Sequence, residues 1–129
     1  MKILAEISVG ELYDKITILN IKLKKINDPN KLKNIKIELD ALIEQSNKLI
    51  LKDDAILRKN IQKLQDINEE LWDIENAKRE CEANKEFGEI FIKISRDVHF
   101  KNDIRASIKK EINLLSNSKI TEEKEYSKY

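Results

Sequence analysis

Residues 57–82, LRKNIQKLQDINEELWDIENAKRECE, decide the fold. Their apolar residues recur at spacings of three and four, which is the period of one helix face. The stripe begins with Leu57, Ile61, Leu64, Ile67 and Leu71, and it continues onto Ile74, Ala77 and Cys81. We therefore predict one long helix that packs against other helices along this face.

A second column, of polar and charged side chains, accompanies the stripe in the second half of this helix. It consists of Asn68, Trp72, Glu75, Arg79 and Glu82. Glu75 and Arg79 have the spacing and order of a helical ion pair. Tryptophan is unusual on a fully exposed helix face. On a fully buried face, the charged side chains would lose their hydration at a large cost in free energy. Two interpretations stay open: an inter-helix salt bridge covered by Trp72, or a half-buried cleft that binds a ligand.

The composition is that of a helical protein. The chain has 129 residues, of which 40% are hydrophobic and 38% charged, with only two glycines and one proline. This length suits one domain, and we expect a single helical domain at 1–118 followed by a polar C-terminal tail at 119–129. Neither glycine belongs to a glycine-rich phosphate loop, and no cofactor is predicted.

The charge balance does not predict a nucleic-acid partner. The chain carries 25 basic and 24 acidic side chains, so it has no overall basic excess. Six lysines near the first helix–helix turn are expected to form a solvated surface. They are Lys22, Lys24, Lys25, Lys31, Lys33 and Lys36.

The cysteine count and hydropathy predict a reduced, cytoplasmic setting without a membrane. Cys81 has no second cysteine with which to form an internal disulfide. With a single histidine as well, a Cys/His zinc site within one chain is not available, and no metal site is predicted. The N-terminal residues lack the apolar run of a signal peptide, and no stretch approaches the roughly 20 apolar residues of a membrane span.

Helix-capping and helix-terminating residues divide the chain into about four helices. Residues 2–7 are read as an extended arm or an edge strand. Ser8 and Glu11 fit a capping box that opens a first helix ending near residue 26. Asp28 caps a second helix, with Pro29 in its first turn, and this helix ends near residue 50. The fold class is therefore all-α: an antiparallel helical bundle of about four helices with a short extended N-terminal arm.

The later boundaries leave two choices. Asp53 or Asp54 caps the long helix, which we expect to break at residues 84–88 before a fourth helix that starts around Glu86. Within residues 99–103 the fourth helix either continues or is replaced by a new helix capped by Asn102. The first helix is apolar on two faces, the second of them formed by Ile18 and Ile21. We expect one face to be covered by the chain itself and the other by a partner, which makes a homodimer a prediction.

Arg105 is the second residue for which we expect a negatively charged partner. On a continuous helix it falls in line with apolar residues, and a guanidinium there calls for a carboxylate or an anionic ligand. Glu75 and Asp14 are the two candidate carboxylates, and a structural network is an alternative to a site. The ligand-binding candidates are Asp14, Asn68, Trp72, Glu75, Arg79, Asn102, Asp103 and Arg105.

Four stretches are distinctive as motifs: SVGELYDKITIL at 8–19, INEELWDIE at 67–75, RDVHFKNDIR at 96–105 and EEKEY at 122–126. Together they resemble a family of small, uncharacterised bacterial and phage proteins that open with V-G-E-L-x-D-K-x-x-I-L. The resemblance implies a stand-alone helical domain, and some members are associated with glycosyltransferase-type genes. The family has no established activity, so no functional residue is carried over. His99 stands where the resemblance leads us to expect tyrosine.

The leading functional interpretation is a non-enzymatic binding or interaction module whose partner is a protein or a small anionic ligand. The resemblance adds a role accessory to surface-glycan or sugar-nucleotide metabolism. The alternative is a small magnesium-dependent all-α enzyme that acts on a phosphorylated, nucleotide-like substrate. Its basis is the E-x-x-D spacing of Glu11 with Asp14 and of Glu70 with Asp73, since converging carboxylates hold magnesium. The E-x-x-E motif of all-helical nucleotide pyrophosphohydrolases has no convincing counterpart.

Overall fold

The computed structural model describes residues 1–49 and 54–129, and in these ranges the chain forms four helices and no strand. They are α1 (Val9–Lys25), α2 (Pro29–Asn47), α3 (Ala55–Ala83) and α4 (Glu89–Leu115). The prediction of an all-α helical bundle is confirmed. Residues 1–7 lie exposed in front of α1 without regular secondary structure. Within the described ranges, no helix combines the length and apolar character that crossing a bilayer requires.

Side chains cap three helices at their N-termini. The Ser8 hydroxyl accepts a hydrogen bond from the Glu11 backbone N–H at 3.1 Å, as predicted. The reciprocal half of the capping box is wrong, because the Glu11 carboxylate contacts Lys109. Asp28 caps α2, and Asp54 caps α3 by accepting from the Ile56 N–H at 2.8 Å. The alternative cap at position 53 lies outside the described residues.

The break after α3 is confirmed, and α4 continues without interruption past Asn102. It begins at Glu89, three residues later than predicted, and a single helix extends to Leu115. The choice left open at residues 99–103 is therefore settled in favour of one helix. The second helix ends at Asn47, short of the predicted end near residue 50.

Helix α1 lies at the centre of the packing. It contacts all three other helices, whereas α2 packs only on α1 among the described elements. One apolar cluster joins α1 to α3 and α4 around Leu64 and Ile112. A second cluster joins α1 to α2 around Leu19 and Ile35. The main apolar stripe of α1 is thus covered within the chain, and on the second face Ile21 is buried while Ile18 is half-buried. The homodimer stays a prediction.

The C-terminal segment returns along α4. The Ser118 hydroxyl accepts from the Val9 N–H at the start of α1. Further along, Glu122 pairs with Lys109, and the Tyr129 hydroxyl donates to Asp103. These contacts bring the tail beside the face of α4 that carries the charged candidates.

Candidate functional site

Asp14 is the centre of a buried polar network between α1, α3 and α4. Its side chain is 2% exposed. Arg105 donates to both carboxylate oxygens, through Nε at 2.9 Å from Oδ1 and through Nη2 to Oδ2. The Asn68 amide donates to the same Oδ1 at 3.0 Å. Of the two carboxylates predicted as partners of Arg105, Asp14 fills that position and Glu75 does not.

Hydrogen bonds and positive charges keep Asp14 ionised despite its burial. Burial by itself raises the pKa of Asp14. Hydrogen bonds from Arg105 and Asn68, together with the charges of Arg105 and Lys109, lower it by more, so the net pKa lies below the ordinary value. The hydrogen bond to Asp14 likewise raises the pKa of Arg105. The pair is therefore charged across the physiological pH range.

Lys109 belongs to this network, and sequence reasoning missed it. Its ammonium group lies 2.6 Å from Glu11, 2.9 Å from Glu122 and 3.6 Å from Asp14, with the lysine side chain 7% exposed. Three carboxylates from α1 and the tail thus converge on one buried cation. The available signal was position, since Lys109 follows Arg105 by four residues and so shares its helix face.

The start of α1 docks closely against the end of α4. The Gly10 N–H donates to the Asn113 side-chain oxygen at 2.7 Å, which satisfies an N–H that has no partner within the helix. A Cβ atom on Gly10 would lie 2.6 Å from the Lys109 carbonyl oxygen. Glycine at this position therefore permits the approach of the two helices that brings Glu11 and Asp14 to α4.

An open cleft with a volume of about 470 Å³ lies above the network, between α1, α3 and α4. Six of the eight candidate residues line it: Asn68, Trp72, Glu75, Arg79, Asn102 and Arg105. Apolar contacts come from Ile18 and Ile21 on α1 and from Leu71 on α3. Pockets of this volume are in the range that accommodates small ligands.

The other two candidates lie outside the cleft. Asp14 does not line the cleft itself, but it binds two residues that do, Asn68 and Arg105. Asp103 is exposed and accepts a hydrogen bond from the Tyr129 hydroxyl. It lines a second concave surface, of about 670 Å³, between α4 and the tail, and Asn102 borders both.

The charged pair on α3 is not the inter-helix salt bridge considered from the sequence. Glu75 and Arg79 pair at 2.8 Å within one helix, and the arginine side chain is 73% exposed. A pair of this kind stabilises the fold by about 0.3–0.5 kcal/mol. The inter-helix bridge that holds the bundle is Asp14–Arg105.

Three groups on the cleft wall keep unused hydrogen-bonding capacity. Both amide N–H groups of Asn68 are taken, by Asp14 and by the Thr17 hydroxyl, while its carbonyl oxygen accepts from no described residue. Arg105 uses three of its five N–H groups, two on Asp14 and one on Asn102. The Trp72 indole N–H also has no acceptor within the described ranges.

Three of the four carboxylates that suggested magnesium are paired with cations. Glu11 pairs with Lys109, Asp14 with Arg105, and Glu70 with Lys101 at 2.7 Å. Across residues 1–49 and 54–129, no three His, Cys, Asp or Glu side chains are grouped as metal ligands would be. His99 is exposed and packs against the rings of Phe100 and Tyr129.

The fold and the cleft define an all-α helical module with an open, polar, tryptophan-containing groove. By sequence comparison the chain belongs to DUF6165, a family of unknown function whose profile matches residues 1–129. The resemblance to an uncharacterised family is thereby confirmed. No curated protein and no solved structure matches the chain.

Proposed function

We propose that this protein is a binding module that holds a sugar ring, from a glycan or a sugar nucleotide, in the cleft between α1, α3 and α4. The observation that carries the proposal is that the side-chain carbonyl oxygen of Asn68 has no hydrogen-bond donor within the described chain. This residue is 5% exposed and lines the cleft, and its carbonyl oxygen accepts from no described residue. The oxygen is not fully buried, so a water molecule or a ligand in the cleft can donate to it.

Arg105 supplies the complementary donors. Its Nε and the Asn68 amide nitrogen both bond to the same oxygen of Asp14, so the two side chains lie next to each other. A hydroxyl group can donate to Asn68 and accept from Arg105 at the same time. Adjacent hydroxyls on a sugar ring match this pairing, and Asp14 holds both protein groups in position before a ligand arrives.

Trp72 supports a ring-shaped ligand. It is half-buried, lies one helical turn after Asn68 and lines the same cleft. Its indole offers an apolar face for the C–H groups of a sugar and an N–H donor at its edge. The combination of aromatic surface and convergent polar groups is characteristic of small-molecule sites.

The charge balance favours a hydroxylated ligand with at most a small anionic group. Both arginines of the cleft are paired, Arg105 with Asp14 and Arg79 with Glu75. Arg79 is mostly exposed, and it can exchange Glu75 for a phosphate or carboxylate of the ligand at little cost. The resemblance to proteins associated with glycosyltransferase-type genes agrees with a sugar or a sugar nucleotide. No observation favours the magnesium-dependent enzyme.

Intrinsic fluorescence tests the proposal directly, because Trp72 is the only tryptophan. The protein is titrated with monosaccharides, with sugar nucleotides and with the same nucleotides lacking the sugar. We expect a saturable change for sugar-containing compounds and none for the bare nucleotides. Arg79→Ala should weaken binding of the sugar nucleotides, whereas Lys63→Ala, exposed on the same helix outside the cleft, should not. A flat response to the whole panel contradicts the proposal.

A further inference from the structure

No other described helix packs over the outer part of the α3–α4 hairpin, and the tail contacts it only at its inner end, where the Tyr129 ring packs against His99 and Phe100. Among residues 72–100, all of which the structure describes, Cys81 is the only buried residue. The last turn of α1 reaches α3 at Glu69, where Lys24 pairs with it at 3.5 Å. From there α3 continues for about 20 Å, at 1.5 Å per residue, with α4 as the helix packed along it. We call residues 72–100 the outer hairpin.

The outer hairpin exposes apolar side chains that two helices cannot bury between themselves. Phe87 and Ile90 are 52% and 57% exposed. Phe91 packs edge-on against Phe87, with ring centroids 5.5 Å apart, and it is only half-buried, as are Ile74 and Ile94. Helices depend on tertiary packing of their apolar face, and a contiguous exposed apolar patch marks an interaction surface.

The charges around this patch are segregated in a self-complementary way. The end of the hairpin is acidic, with four exposed glutamates and one lysine: Glu80, Glu82, Glu86, Glu89 and Lys85. One to two turns back lie four cations, of which Arg79 is paired with Glu75: Lys78, Arg79, Lys93 and Arg96. We call the first group the acidic end and the second the basic belt.

We propose that a second copy of this chain covers the outer hairpin in an antiparallel, two-fold arrangement. In a two-fold interface each contact occurs twice, so the acidic end of each copy lies against the basic belt of the other. Two hairpins packed in this way form a four-helix interface with the exposed phenylalanine and isoleucines at its centre. A parallel arrangement would bring the two acidic ends together, which like-charge repulsion disfavours. The surface does not include α1, and the inference does not depend on a ligand in the cleft.

Sedimentation equilibrium on the full chain tests this interface, over about 1–100 μM protein. We expect a dimer that Glu86→Lys with Glu89→Lys weakens by about tenfold or more. Lys93→Glu with Arg96→Glu should weaken it similarly. An equimolar mixture of the two double variants should form heterodimers, because both sets of reversed charges then face each other with opposite sign.

Two single variants separate the patch from general surface effects. Ile90→Ser should weaken the dimer, whereas Ile37→Ser, 61% exposed on α2, should leave its dissociation constant unchanged. All substituted side chains are exposed, so unaltered thermal melts at low concentration verify folding. The proposal is overturned by a wild-type monomer throughout the range, by a dimer insensitive to the outer-hairpin changes, or by double variants that fail to pair with each other.

Discussion

The Asp14 carboxylate on α1 and the Arg105 guanidinium on α4 meet in a two-pronged hydrogen bond across 91 residues of chain. The contact fixes α1 against α4, and it also holds the arginine at the wall of the cleft. The same carboxylate orients Asn68. Structural stability and the geometry of the candidate site therefore depend on one side chain.

Replacing Asp14 should destabilise the fold strongly. Asp14→Asn leaves the part-buried Arg105 and the buried Lys109 without the charge that compensates them. Breaking a buried pair by removing one partner costs about 3–5 kcal/mol, and we expect a loss at the lower end of this range because Lys109 keeps two other carboxylates. Urea denaturation measures it. Glu75→Gln, which breaks an exposed pair, should cost less than about 1 kcal/mol. Equal losses for the two variants would show that the network is not a structural centre.

Stability should fall in acid. The pKa of Asp14 lies below its ordinary 3.8, and a hydrogen bond from Lys109 holds the pKa of Glu122 below its ordinary 4.5. A carboxyl group with a lower pKa in the folded state stabilises the fold above its unfolded pKa, and this contribution is lost as the pH falls through the folded value. We therefore expect the free energy of unfolding to be level near neutral pH and to decrease below about pH 4.5.

Glu122→Gln provides the control for that pH dependence. The variant cannot titrate at this position, so its stability should decrease less steeply between about pH 5 and pH 3. Lys109 does not affect this acid range. Burial lowers its pKa, but hydrogen bonds to Glu11 and Glu122 raise the pKa by more. The contribution of Lys109 to the free energy of unfolding is therefore lost only above its ordinary pKa of 10.5. Denaturation curves across the acid range give the slopes, and identical slopes for wild type and variant would rule out a linked role for Glu122.

The two glycines should respond differently to alanine. In an open helical position alanine is favoured over glycine by about 1 kcal/mol. At Gly10 the new Cβ would press on the Lys109 carbonyl, so Gly10→Ala should destabilise by about 1–3 kcal/mol. Gly88 has no atom within 4 Å of such a Cβ, and Gly88→Ala should stay within about 0.5 kcal/mol of wild type. Thermal unfolding compares them, and a neutral Gly10→Ala would contradict the close approach of α1 to α4.

Ser95→Ala should stabilise the protein. The Ser95 hydroxyl oxygen is buried and has no hydrogen-bond partner within the described chain. An unsatisfied buried polar atom costs about 1–3 kcal/mol, and alanine is also the better helix former. We expect an increase of about 1 kcal/mol in the free energy of unfolding. Ser107 is exposed on the same helix, so Ser107→Ala measures the gain that comes from helix propensity alone. An equal gain for Ser107→Ala would contradict the explanation that the buried Ser95 hydroxyl destabilises the fold.

The helices and their breaks could be predicted because their signals are local. Asp28 with Pro29, and the apolar period that starts at Leu57, mark boundaries and faces within a few residues of chain. From the sequence, the partner of Arg105 could be either Asp14 or Glu75. The choice between them depends on how α1 crosses α4, which no local pattern specifies.

The buried lysine and the close helix contact could not be found in the same way. Lys109 is one of 25 basic residues, and nothing local distinguishes the one that tertiary packing buries. In the sequence, Gly10 is only a residue near a helix start. Its importance depends on the close contact with the end of α4, which the local sequence does not indicate. Asn113 and Glu122 acquire their partners only through that packing. Sequence located the cleft residues on α3, and the three-dimensional fold supplied the network beneath them.

The most direct test of the ligand-binding cleft is an NMR titration that follows the indole N–H of Trp72, the side-chain amides of Asn68 and Asn102, and the Nε–H of Arg105. The ligands are a sugar nucleotide and its free monosaccharide. We expect saturable shifts confined to these signals and their neighbours on α1, with the same dissociation constant at each. Unperturbed spectra at saturating ligand, or shifts that map to a different surface, would contradict this expectation.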